Sequence, residues 1–138
     1  AMADLALGHY THEKNPVTAR AALTTLEIIE DEGLVEKSAV LGQYALARLQ
    51  DFATSCPIIG DVRGRGLMFG IEIVSDKMAK TAAPILAEKI YYRCLDNGLS
   101  FKISQGNVLT LSPPLTIQQG DLETALAIVE AAMTAVAA

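Results

Sequence analysis

Asp61-Val62-Arg63-Gly64-Arg65-Gly66-Leu67-Met68-Phe69-Gly70-Ile71-Glu72-Ile73-Val74 is the stretch from which the fold can be read. Leu67, Phe69, Ile71 and Ile73 fall on one face and Met68, Gly70, Glu72 and Val74 on the other, the period-2 signature of a half-buried strand. Gly64 and Gly66 allow a positive φ or a close backbone approach, and Arg63 and Arg65 keep the turn solvated. The stretch therefore predicts a bent strand pair or a hairpin.

Working outward, two more strands are expected at about 99–104 and 108–111, joined by the turn Gln105-Gly106-Asn107 and closed by Pro113-Pro114. Asn15-Pro16 is a helix start, with Asn as N-cap and Pro at the first helical position, and Ala19, Ala22, Leu23, Leu26 and Ile29 form an apolar stripe that Gly33 ends. A second helix is expected over about 34–53 with Leu41, Ala45, Leu49 and Phe52 inward, stopped by Cys56-Pro57. A third, over about 82–97, turns Ile85, Leu86, Ile90, Cys94 and Leu95 to a core and ends at the αL cap Asn97-Gly98. Thr116 and Gln119 fit a capping box that opens a last helix running to about Val136, with Gly120 and Asp121 as a later start. The order α-α-β-β-α-β-β-α predicts an α+β fold, a mostly antiparallel three- to four-stranded sheet packed against helices.

At 138 residues, 51% hydrophobic and 20% charged, the chain is long enough for one core and too short for two ordinary domains. A net charge of −5 and the absence of Trp argue against binding a phosphate backbone. The apolar tract from Leu122 to Ala138 is alanine-rich and interrupted by Glu123 and Glu130, so no membrane anchor is expected. The N-terminus lacks the layout of a signal peptide, and Ala1-Met2 reads as a cloning remnant or an internal start of something longer. Cys56 and Cys94 are too few for a disulfide scaffold or a four-ligand metal site, which makes buried free thiols in a reducing cytoplasm the expectation.

Few residues look chemical by themselves. His9 and His12 stand three apart in a loop-like segment, but no cysteine or carboxylate cluster completes a metal shell beside them. Glu30-Asp31-Glu32 at a helix end reads as a solvated charge run. No serine lies in a nucleophile motif, no Rossmann fingerprint or phosphate loop is present, Tyr91 and Tyr92 read as split between core edge and surface, and Met68 and Met78 as ordinary packing.

Four segments in order nevertheless resemble one family: Tyr10-Thr11-His12-Glu13-Lys14-Asn15-Pro16, Glu32-Gly33-Leu34-Val35, the run from Ile59 to Glu72, and Leu109-Thr110-Leu111-Ser112-Pro113-Pro114-Leu115-Thr116-Ile117. They are similar to the C-terminal part of class III pyridoxal-phosphate-dependent aminotransferases, the group of 4-aminobutyrate and ornithine aminotransferases and dialkylglycine decarboxylase. The resemblance implies that residues 1–14 end a large-domain active-site segment and that 15–138 form the small C-terminal domain of a fold-type I enzyme. It implies amino transfer from an amine or amino acid to a 2-oxo acid with pyridoxal 5'-phosphate as cofactor, in a cytoplasmic homodimer. The alternatives are a decarboxylase or lyase of the same family, or a non-catalytic interaction module derived from it.

The family's Schiff-base lysine lies upstream of these segments, and Lys14, Lys37, Lys77, Lys80, Lys89 and Lys102 do not match its motif. The chain alone is therefore expected to be inactive. Thr11 matches the threonine that reaches the cofactor phosphate of the other subunit; read without the family it is a turn or capping residue near Asn15. Thr110 stands where amino-acid-specific members carry an arginine clamp for the substrate carboxylate, which implies a substrate held differently, such as an amine, an aminophosphonate or an amino alcohol derivative, or an arginine supplied from elsewhere. Without the family, Thr110 is a β-favouring residue in an ordinary strand.

Overall fold

A computed structural model describes residues 15–137, which divide into two units, one ending at Leu34 and one beginning at Val35. The first contains α1 (Pro16–Asp31). Asn15 caps it as expected, its Oδ1 accepting from Val17 N at 2.9 Å with Pro16 in the first turn, and Gly33 follows the helix at φ +59°. The apolar stripe of α1 is drawn but holds no buried residue, and Leu23 and Leu26 are exposed.

The second unit is built from α2 (Leu34–Ser55), β1 (Ile59–Arg65), β2 (Met68–Asp76), β3 (Thr81–Ala82), α3 (Pro84–Asp96), β4 (Lys102–Ser104), β5 (Val108–Leu111) and α4 (Gln119–Ala137). The strands pair antiparallel in the order β1-β2-β5-β4, with β3 pairing the far end of β2. This is the α+β architecture expected, with five strands instead of three or four. The decisive stretch is a hairpin: Arg65 pairs with Met68 around Gly66-Leu67, and Gly66 takes φ +55° at the first turn position, where a side chain would be strained. Leu67, Phe69, Ile71 and Ile73 are all buried, so the alternation places one sheet face on the core.

Helices cover that face. Leu41, Ala45 and Leu49 of α2, Ala87, Ile90 and Cys94 of α3, and Leu122, Leu126, Val129 and Met133 of α4 join the strand residues in one cluster. Phe52 is only half-buried. Helix α2 also lies directly against the hairpin turn. A Cβ on Gly42 would collide with the carbonyl of Gly66, and the Ser38 hydroxyl accepts from Leu67 N at 3.1 Å. Two polar bridges join α2 to α4: Arg48 forks onto Glu130 through Nε–Oε1 at 2.8 Å and Nη2–Oε2 at 2.7 Å, and the Tyr44 hydroxyl donates to Glu123 at 3.2 Å.

Three expected boundaries and one expected helix face are corrected. Thr81 and Ala82 extend the sheet as β3, which delays α3 to Pro84. Ile85 at 70% and Leu95 at 43% exposure face away from the core, and Ala87 takes the inward position instead. The strand expected from Leu99 begins only at Lys102, because α3 ends in a Schellman motif that uses Leu99: its N–H donates to Cys94 O while that of Gly98 donates to Leu95 O. Helix α4 starts at Gln119, whose carboxamide donates to Glu123 at 2.8 Å instead of closing a capping box with Thr116.

Candidate functional site

Strand β5 is the third of the four strands in the ladder order, and its residues alternate between the core and the opposite face. Leu109 and Leu111 join the core, while Thr110 lies opposite Gly70 of β2 and Lys102 of β4. A row of facing positions therefore runs Arg63, Gly70, Thr110, Lys102 across β1, β2, β5 and β4. The adjoining row is Asp61, Glu72, Val108, Ser104. Between the rows, the hydroxyls of Thr110 and Ser104 are hydrogen-bonded at 2.9 Å. Arg63 is compensated within this face, 2.7 Å from Asp61 and 3.8 Å from Glu72.

Past β5 the chain turns at Pro113-Pro114, which cannot continue the ladder, and enters α4. That exit leaves a cavity of about 640 Å³ between the β4–β5 end of the sheet and α4. Phe101, Leu111, Pro113 and Ile117 give it apolar walls, and Thr110, Lys102 and Asp121 are among its polar lining residues. Lys102 is the only cation and Asp121 the only anion among the residues that line it.

Of the residues singled out in the sequence, Thr110 borders this cavity through its strand, at a position on the sheet face opposite the core. Thr11, His9 and His12 lie outside the described residues. Among the described residues no group of three or more His, Cys, Asp or Glu side chains gathers as a metal site. No helix among them is long and apolar enough to cross a membrane. Cys56 and Cys94 are buried free thiols, and burial pushes the Cys94 thiol up to about 11. Glu30, Asp31 and Glu32 are exposed, in keeping with a solvated charge run.

A pyridoxal phosphate site needs an enclosed lysine and donors aimed at a phosphate. Lys37 Nζ is spent on Thr116 O at 3.1 Å, Lys77 Nζ on Ala53 O at 2.6 Å and Cys56 O at 3.0 Å, and Lys80, Lys89 and Lys102 are exposed. The described residues do not by themselves form a site for that cofactor. What they form is a sheet face that carries Arg63, Lys102 and the Thr110–Ser104 hydroxyl pair.

Lys102 and Ser104 were passed over in the sequence as a lysine outside a motif and a serine without a histidine. The signal was the turn: once Ser104 opposes Val108 around Gln105–Asn107, antiparallel counting sets Lys102 opposite Thr110. Both turn residues Gln105 and Gly106 adopt positive φ, and buried Asn107 continues the ladder by donating from Nδ2 to Ile73 O at 3.0 Å.

The family described as "Aminotransferase class-III" matches residues 4–133. A (R)-1-hydroxy-2-aminoethylphosphonate ammonia-lyase of Vibrio splendidus is 48% identical over 97% of this chain, and a leucine/methionine racemase of Thermococcus litoralis is 43% identical over 87%. Among solved structures, an aminotransferase of Bacillus anthracis superposes with a TM-score of 0.85 at 32% identity, over 98% of this chain and 32% of its own length. The chain spans 28% of the lyase and 27% of the racemase.

Proposed function

The chain belongs to the class III aminotransferase family, which is pyridoxal-phosphate-dependent, and from that premise we propose that it is the C-terminal portion of an enzyme that releases ammonia from a small amine bearing a phosphonate. The carrying observation is Thr110 on the sheet face away from the core, a neutral hydroxyl where the resemblance expects a carboxylate-binding arginine. A threonine cannot clamp an α-carboxylate at two points, whereas the Thr110–Ser104 hydroxyl pair, with Lys102 opposite Thr110 in the ladder, suits a compact tetrahedral anion. The relative that is 48% identical, named for a hydroxylated aminoethylphosphonate, supports that substrate class.

In this reading Thr11 contacts the cofactor phosphate across a homodimer, and the lysine that carries the cofactor lies in a part of the protein outside this sequence. Amino transfer to a 2-oxo acid is the second reading. It is favoured by the superposition on an aminotransferase, although shared fold carries less weight than the site when a reaction is assigned.

The test uses the full-length protein loaded with pyridoxal phosphate and given 1-hydroxy-2-aminoethylphosphonate, with and without pyruvate. Ammonia released at a rate independent of pyruvate is the expected result. Alanine formation strictly dependent on pyruvate would establish the second reading, and turnover of ordinary α-amino acids alone would overturn the substrate class.

A further inference from the structure

Resting on that reading of the substrate, we propose that Gly70 is a specificity-determining position: its bare backbone leaves a notch beside Thr110 in the sheet face away from the core, and the tetrahedral anionic group of the substrate seats there. A glycine inside a strand weakens it, and three situations call for one: a bulge, a tight bend, or close approach by a ligand or another backbone. The first two do not apply. Gly70 pairs with Arg63 of β1 and Thr110 of β5, the register runs unbroken through it in both ladders, and it is not among the residues at positive φ. Nor does packing demand the missing side chain. A Cβ on Gly70 would meet Val108 Cγ1 at 3.4 Å and Arg63 Cγ at 3.8 Å, which are ordinary contacts. By contrast, a Cβ on Gly60 would stand 2.6 Å from Val74 Cγ1, and one on Gly64 2.5 Å from the Met68 carbonyl oxygen. Those two strand glycines are required by their neighbours within the fold, and Gly70 is not.

Close approach is the reason that remains, and its place in the sheet points to the substrate. Gly70 lies on β2, an inner strand, directly opposite Thr110, the residue already read as choosing the anionic group. Arg63, Val108 and Thr110 border the notch on one face. Arg63 runs along it, with Nε 4.0 Å from where a Gly70 Cβ would be, while Nη1 is the atom bonded to Asp61. Shape then discriminates between anions. A planar carboxylate lies flat against a two-point donor, whereas a phosphonate carries a third oxygen out of that plane and needs depth. A short side chain at position 110 and none at position 70 supply that depth on adjacent strands. A methyl group at position 70 would stand where the third oxygen goes.

Gly70→Ala in the full-length protein, loaded with pyridoxal phosphate, tests the assignment. Because the added Cβ fits and alanine restricts the unfolded chain more than glycine does, the thermal midpoint is expected to stay or rise. Binding of methylphosphonate, followed by titration calorimetry, is expected to weaken about 10-fold, and KM for the aminophosphonate to rise about as much with kcat unchanged. Gly120→Ala is the control: its Cβ, in the first turn of α4, would meet nothing within 4 Å among the described residues, so affinity and KM should stay at the wild-type values. Unaltered methylphosphonate affinity in Gly70→Ala, no binding to the wild type, or equal weakening by Gly120→Ala would overturn the assignment. A lowered thermal midpoint in Gly70→Ala would overturn it too, by giving the close approach to another part of the protein. Failure of the wild-type enzyme to release ammonia from any aminophosphonate sinks the functional reading alone, because methylphosphonate affinity decides the role of Gly70 independently.

Discussion

Asp76, the last residue of β2, accepts from Met78 N at 2.8 Å and Ala79 N at 2.9 Å in the turn toward β3, and those two bonds, Ala79's foremost, hold its carboxyl below the ordinary 3.8. A carboxylate whose folded pKa is depressed contributes stability that is fully present above the ordinary value and is lost as pH falls through the lowered one. The amide protons of Met78 and Ala79 are therefore expected to titrate together with a midpoint below 3.8, and Asp76→Ala should abolish that titration. A midpoint above 3.8 would show that the bonds do not favour the ionised form. At this scale, Thr110 was legible because its neighbours form a recognisable run. Lys102 was not, because its meaning comes from Thr110 across the hairpin and not from the residues beside it in sequence.

Contacts between elements decide what a local pattern leaves open. Gly42 sits inside α2, where replacement by Ala gains about 1 kcal/mol of helix propensity in isolation. Here the added methyl meets the Gly66 carbonyl, backbone that cannot rotate aside, and such overpacking costs about 1–3 kcal/mol. Gly42→Ala is thus expected to lower stability in urea denaturation despite the better helix former, and a higher midpoint would mean that α2 does not rest on the turn. Nothing in the helical period announces that contact. The hairpin itself was legible because a half-buried strand must alternate and a two-residue turn favours glycine. The late start of α3 was hidden, since Thr81-Ala82 is too short to show a period and becomes a strand only by pairing with β2.

For the molecule as a whole, the α+β class followed from the order of patterns, and family membership from four segments whose order is kept. Reaction type does not follow from either, because related chains with this fold are named for ammonia release, racemisation and amino transfer. The discriminating feature is Thr110 on the sheet face away from the core, and the central claim is that this position chooses the anionic group of the substrate. Thr110→Arg in the full-length enzyme tests it most directly, through the ratio of kcat/KM for the aminophosphonate to that for a simple α-amino acid. A guanidinium there adds a two-point grip on a carboxylate, so the ratio is expected to fall by at least about tenfold. An unchanged ratio, with the variant folded and loaded with cofactor, would contradict the claim.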